Sequence, residues 1–401
     1  MRALRILQAG LGDALSFMHA KRCAAFWRAV SSLLSGQRLW LTALGRSLPG
    51  PSTDKHRIKA IDRLVGGAAM QGSVSMLYAG LAAFLLRGIR RPVFLIDWTG
   101  ADPGFGVLSA KLCFRGRALS IFSQTFPASR KCSPSAEREF LSRLVEVVPT
   151  HCKPILVTDA GFLSPWFDAV RSIGWDFVGR LRGRITLAVN GNWQRLPAVH
   201  AHATRRPCEL GHALIGRGCV REQRVVLSAK PRLKGRVKLG RLGARRQSTA
   251  DHQRAAAARE PLVLVTSLDD SAHVVVGAYR MRMQIEETFR DLKSHRYGWS
   301  AEDIRCRNPK RIDVLLVIAA FAAIASHVVG LAADNARLQR HFQANTVRSR
   351  RVFSTFFLGN LLLLRGQDSI LSCAALRVAI RRLLHTLAAA ALNGCQRAHT
   401  A

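Results

Sequence analysis

The chain has 401 residues, 48% of them hydrophobic. That is enough to bury a core in two or three domains, and it excludes a disordered basic tail. Lys and Arg number 61 against 25 Asp and Glu, a net charge of +36 spread along the chain. Self-repulsion on that scale would destabilise the compact state unless a polyanion were the normal partner. A generic basic protein, ribosomal or membrane-surface, would share that charge, but the size of the chain and its carboxylate pattern argue for an enzyme acting on nucleic acid.

Nine scattered cysteines form no Cys-x2-Cys pair and fit reduced thiols. The basic N-terminus, MRALRILQAGLGDALSF, is broken by Gly10, Gly12 and Asp13 and so lacks the apolar run of a signal peptide. The expected location is the cytoplasm.

In chain order, residues 1–90 read as helices around residues 4–18, 26–44, 58–65 and 74–86. In the third, DKHRIKAIDRLVGG, Asp54 is placed to cap the helix. Ile58, Ile61 and Val65 make an apolar stripe, and Gly66-Gly67 ends it. Lys55, Arg57, Lys59 and Arg63 give it a basic face suited to DNA phosphates.

From residue 91 the texture changes. Val93, Phe94, Leu95 and Ile96 form a buried strand that delivers Asp97 at its end. Residues 107–114 and 118–126 form a hairpin across Arg115-Gly116-Arg117. A charged helix over 137–148 precedes a second buried strand, 154–158, which ends at Asp159. A helix at 165–173 and a strand at 175–181 follow. Residues 182–260 are turn-rich and strongly basic and read as a mostly β insertion, with Trp193 on an Asn-Gly turn. Strand 261–268 resumes the core.

Residues 279–293, YRMRMQIEETFRDLK, then read as one helix. Tyr279, Arg282, Glu286 and Lys293 stand at offsets 0, 3, 7 and 14 and share one stripe of it. Glu287 lies roughly 100° away around the helix, so Glu286 is preferred as the functional carboxylate. Residues 314–333 hold no Asp, Glu, Lys or Arg and are long enough for a bilayer of ~30 Å. Their alanine content, with Ser326, His327 and Gly330, favours a helix buried in a core and no membrane partner. A stretch at 353–364 and a helix over 370–392 close the chain and could serve dimerisation.

Two strand-borne aspartates and one helical glutamate supply the oxygen ligands that hard divalent cations prefer. Two such ions ~3.5–4 Å apart can assist both the attacking and the leaving oxygen of a phosphodiester displacement. The chain resembles the DDE transposases of bacterial insertion sequences, in the cut-and-paste, hairpin-forming branch with a Tyr-x2-Arg-x3-Glu-x6-Lys signature. Tyr279, Arg282, Glu286 and Lys293 match that signature. Asp159-Ala-Gly-Phe and Asp97 match the surroundings of the two aspartates.

The resemblance implies an α/β fold: an RNase H-like mixed-sheet catalytic core over 91–181 and 261–335, interrupted by the β-rich insertion at 182–260. An α-helical DNA-end-binding region (1–90) and an α-helical C-terminal region (336–401) flank it. Asp97, Asp159 and Glu286 would be catalytic and hold two Mg²⁺, with Mn²⁺ able to substitute. Tyr279, Arg282 and Lys293 would grip phosphates of the element end, and an aromatic ring, with Trp193 preferred over Trp98 and Trp299, would stack a flipped base. The partners implied are double-stranded DNA, as terminal inverted repeats and as target, and a second copy of the chain, in a nucleoid-associated complex. The same residues would also fit a metal-dependent nuclease without strand transfer, or a domesticated DNA-binding relative.

Overall fold

The computed structural model describes residues 1–101, 104–216, 220–229, 260–344, 346–347 and 349–391. Cys219 and Cys395, Leu392 at the end of the last expected helix, and the basic stretch 230–259 lie outside the described residues. The fold is mixed α/β with helical N- and C-terminal regions. The chain divides into two compact units. Unit 1 joins Met1–Pro154 to Met281–Ala401, and unit 2 is Ile155–Arg280.

Unit 1 opens with α1 (Arg2–Leu11), α2 (Ala20–Gly36), α3 (Leu41–Arg46), α4 (Asp54–Gly66), α5 (Ala68–Gly72) and α6 (Val74–Leu85). The helix expected over 26–44 is therefore two. Gln37, in the left-handed region at φ 52°, ends α2 with its N–H on the Leu33 carbonyl. Asp54 is the first residue of α4 and not its cap; Thr53 holds the cap position and its hydroxyl meets the His56 ring. The α3 and α4 backbones approach closely, since a Cβ on Gly45 would come 2.4 Å from Ile58 Cα.

An antiparallel meander follows, β1 (Val93–Gly100), β2 (Phe105–Phe114) and β3 (Arg117–Pro127), in the spatial order β3-β2-β1. Arg115 and Gly116, at φ 48° and 81°, turn the hairpin, the backbone that a two-residue hairpin loop needs. A register shift at Ala110/Lys111 places Lys111 opposite Ser120. Helix α7 (Pro134–Val147) is capped by the Ser133 hydroxyl on Ala136 N–H.

Unit 2 contains β4 (Ile155–Thr158), α8 (Ser164–Ser172), β5 (Asp176–Leu181), β6 (Thr186–Val189), β7 (Asn192–Arg195), α9 (Leu196–His200), β8 (Cys208–Ile215), β9 (Arg221–Ser228), β10 (Leu262–Thr266) and α10 (Ala272–Arg280). Its strands run β4-β5-β10-β9-β8-β6-β7. β4 and β5 pair in parallel through α8, and the paired strands from β5 onward are antiparallel. Asn190 and Gly191, both at positive φ, close the β6–β7 hairpin that carries Trp193.

The chain returns to unit 1 in α11 (Met283–Lys293), α12 (Pro309–Asn335), α13 (Thr355–Leu364) and α14 (Cys373–Ala389). α12 is the central core element, and in its most apolar window 89% of the residues are buried. Phe321 makes edge contacts with Phe26 and Trp27, at 5.0 and 5.5 Å between ring centroids. Its polar residues face α13: Ser326 donates to Asn360 Oδ1 at 2.6 Å, and His327 Nδ1 lies 2.9 Å from Thr355 Oγ1. Burial pushes the His327 imidazole down to about 3, so it sits in the core neutral. Ala68–Leu85 is a second run of membrane-spanning length and composition.

Candidate active site at the Arg282 bridge

Asp97 does not end its strand. β1 runs three residues further, and Asp97 pairs with Ser109 of β2 in mid-ladder. The four preceding residues are fully buried, whereas from Asp97 onward the strand is only partly covered. The carboxylate therefore emerges where the strand leaves the core.

The signature stretch is two helices. α10 ends at Arg280, and α11 begins at Met283 after a turn at Met281 and Arg282. Three-residue hydrogen bonds, Gln284 N–H to Met281 O and Ile285 N–H to Arg282 O, tighten that turn. Tyr279 is buried, 7% exposed, at the end of α10 in unit 2, while Arg282 opens α11 in unit 1. The single stripe expected for all four residues is thus interrupted between its first two members.

α11 is fixed by hydrogen bonds to the ends of the β2–β3 hairpin. Gln284 Oε1 accepts from Phe114 N–H at 3.1 Å, and Thr288 Oγ1, one turn on, accepts from Ala118 N–H at 2.7 Å. Arg117 adds ion pairs to Asp291 at 2.5 Å and Glu287 at 3.8 Å. Burial raises the Asp291 pKa, and Arg117 opposes that shift. Glu287 also pairs with Arg290. None of Gln284, Thr288 and Arg117 stood out in the sequence, because each acts through a partner more than 150 residues away or across a turn.

With that face engaged, Arg282 and Glu286 share another. The Arg282 guanidinium reaches Asp97 Oδ2 at 3.3 Å with one nitrogen and bonds Glu286 Oε1 with another. Arg282 is 13% exposed and Asp97 16%, while Glu286 opens to solvent at 43%. Two carboxylates 189 positions apart in sequence thus converge on one cationic group, a donor set that also suits a divalent cation. Among the described residues, no cluster of three or more His, Cys, Asp or Glu side chains is gathered closely enough to hold a metal.

Lys293 ends α11, and burial first, then Lys131, lowers its pKa while Glu302 works the other way. It lines a cavity of about 50 Å³ beneath α11, with Lys111, Arg117 and Asp291. Lys111 is 2% exposed, donates to Ser120 Oγ at 2.7 Å and lies 5.3 Å from the Phe289 ring. Burial lowers its pKa to about 7. The unfolded lysine keeps its proton to about 10.4, so between pH 7 and 10.4 the unfolded chain binds more protons and stability rises with pH. Below pH 7 the full penalty of a buried charge persists. Lys111→Met is therefore expected to stabilise the protein at pH 7 by on the order of a few kcal/mol and to flatten its pH dependence between 7 and 10. Denaturant midpoints of both proteins across that range check this; parallel curves would refute the assignment.

On α4, Lys55, Lys59 and Arg63 are exposed. Lys59 pairs with Asp62 at 3.0 Å, while Arg57 turns inward to Leu48 O and Asp54. In unit 2, Asp159 follows directly on β4, and its Oδ1 accepts from Gly161 N–H at 2.9 Å. A Cβ on Gly161 would lie 3.1 Å from that oxygen, so glycine keeps the turn open. Trp193 is 43% exposed, whereas Trp299 is fully buried with its Nε1 on Gln37 Oε1.

Residues 90–323, more than half of the chain, match the family model of the transposase DDE domain. The chain belongs to that family. The matched span includes Asp97, Asp159, Arg282 and Glu286. No curated protein matches the chain. Family membership makes this a DNA-acting transposase.

Proposed function

We propose that the protein carries out metal-dependent cut-and-paste transposition of an insertion sequence through a hairpin intermediate. The observation that carries this reading is the Arg282 guanidinium held between Asp97 and Glu286. Carboxylates brought that close raise each other's proton affinity unless a cation stands between them. Asp159, assigned by its match to the family motif, completes the set that would hold Mg²⁺ or Mn²⁺. When bound, such ions polarise a phosphoryl oxygen and favour a hydroxide nucleophile near neutral pH.

Arg282 neutralises the carboxylates in the free protein and offers a planar fork to a DNA phosphate in the complex. Lys293 and Tyr279 join it on the element end, with the exposed Lys55, Lys59 and Arg63 of α4 on the flanking duplex; Arg57, turned inward to Leu48 O and Asp54, is left out of that contact. In the reaction proposed, water opens the P–O3′ bond at the element end, and the freed 3′-hydroxyl attacks the phosphodiester of the opposite strand, closing the hairpin and releasing the flanking DNA's 3′-oxygen. A second water opens the hairpin, and the 3′-hydroxyl then displaces a target-strand 3′-oxygen. No protein nucleophile is required. Trp193, exposed at the edge of unit 2, is the ring assigned to stack a base flipped at the hairpin step. Two element ends call for two copies of the chain.

The test is a 3′- and 5′-labelled duplex bearing the element end, incubated with Mg²⁺ and resolved under denaturing conditions. A covalently closed end running at about the combined length of both strands supports the proposal. Nicks or linear ends alone at every time point would leave a nuclease without strand transfer.

A further inference from the structure

Unit 1 carries a second concentration of charge that ion pairing does not balance. At the C-terminal end of α12, Asp334 is approached by Arg351 at 3.4 Å and Arg115 at 3.6 Å. Arg382 of α14 donates to the neighbouring Asn335. One half-buried carboxylate thus faces two guanidiniums, with a third on the residue next to it. Their proximity registers on Arg115: burial first, then Arg351 and Arg382, weaken its hold on its proton, and Asp334 opposes them. Arg115 Nη1 is buried with no hydrogen-bond partner among the described residues.

Arg351 also lines a surface pocket of about 120 Å³ with Gln339, Arg340, Gln343, Ser349 and Arg350. Every one of these side chains can donate a hydrogen bond and none is acidic. The neighbouring α14 buries Leu376, Ala379, Leu383 and Leu387. It turns Arg377, Arg381 and His385 outward at one-turn steps. From residue 369 onward the sequence contains no Asp or Glu. A structural ion-pair network would match its cations with carboxylates. Here the cations outnumber them, and an external anion must supply the balance.

We propose that this arginine face, built from Arg115, Arg340, Arg350, Arg351 and Arg382, is a second DNA-backbone site, separate from the carboxylates. Guanidinium forks take phosphate oxygens in pairs, and contacts to phosphate carry no sequence information, so a backbone site of this kind holds duplex without regard to sequence. The inference rests on the family's action on DNA and not on the hairpin chemistry. Binding here needs no metal, so it is measured with EDTA present.

The experiment uses the full-length protein and a fluorescein-labelled random-sequence duplex, followed by anisotropy from 50 to 200 mM salt. Arg340→Gln/Arg350→Gln changes two exposed residues. It is expected to bind more weakly than wild type at 50 mM salt, and that gap should narrow about tenfold by 200 mM. The log–log salt slope should flatten by about 1.8, two phosphate contacts' worth. Arg340→Lys/Arg350→Lys should keep most of the slope. Arg138→Gln/Lys153→Gln, the same charge loss on exposed residues elsewhere, should leave it near wild type. An unchanged slope in the Arg340/Arg350 double variant, or an equal flattening in the Arg138/Lys153 control, overturns the site. So does a loss confined to vesicles of anionic phospholipid, which would make the face a membrane contact.

Discussion

Glu286→Gln is expected to lower metal-dependent cleavage of element-end DNA by on the order of a thousandfold or more, while end binding in EDTA stays within about threefold. The asymmetry follows from the geometry. Glu286 is the more open member of the pair bridged by Arg282, 43% exposed against 16% for Asp97. Replacing it with an amide removes a charge without removing volume, and α11 stays anchored through Gln284, Thr288 and Arg117 on its other face. A carboxylate holding a divalent ion against a phosphoryl oxygen contributes several kcal/mol to the transition state, and about 4 kcal/mol is a factor of a thousand. Losing it also frees Arg282 from one partner, which favours phosphate contact and argues against a binding defect. Glu287→Gln is the comparison. Glu287 pairs with Arg117 and Arg290, so its loss should change cleavage by less than about fivefold. Cleavage that survives Glu286→Gln and fails in Glu287→Gln would show that the wrong carboxylate had been assigned.

Much of the fold was legible in the sequence because its signals are local. The β2–β3 hairpin announces itself through Arg115-Gly116 between two apolar runs, and β4, β5 and β10 through short β-branched stretches bounded by turns. Asp97 and Glu286, the two carboxylates that Arg282 bridges, both lie in motifs that spacing picks out. What spacing does not encode is the third dimension. Arg282 meets Asp97 across 185 positions, and only the folded chain shows one guanidinium serving both carboxylates. The break between α10 and α11 was hidden because Arg282, at φ −53° and ψ −34°, keeps helical angles while the four-residue hydrogen bonds lapse. A pattern count over residue types sees an unbroken helix there. Lys111 shows the same limit. It is the one charged residue of β2, and its full burial depends on α11 lying over it, which composition cannot foretell.

The polar residues of the long apolar segment lead to the second large effect, which falls on stability. Gly330→Ala is expected to cost on the order of 4 kcal/mol or to leave the protein unable to accumulate in folded form. A Cβ at Gly330 would lie 1.8 Å from the Thr355 carbonyl oxygen, and its reciprocal at Gly359 would lie 1.8 Å from the Ser326 carbonyl oxygen. Both obstacles are backbone, so no side-chain rotation relieves them. α12 and α13 would have to separate, at an overpacking cost of about 1–3 kcal/mol. Separation would also stretch the bonds from Ser326 to Asn360 and from His327 to Thr355. Buried polar groups left unpaired add about 1–3 kcal/mol each. Against a total stability of roughly 5–15 kcal/mol, that is a large fraction. Gly72→Ala is the matched control, because a Cβ there meets nothing within 4 Å; its denaturant midpoint should equal wild type or exceed it slightly. The same close crossing explains how a run of residues apolar enough for a bilayer is held inside a protein core: small and hydrogen-bonding side chains at four-residue steps dock it on another helix. If Gly330→Ala unfolds at the wild-type midpoint, that crossing is not what holds α12 in place.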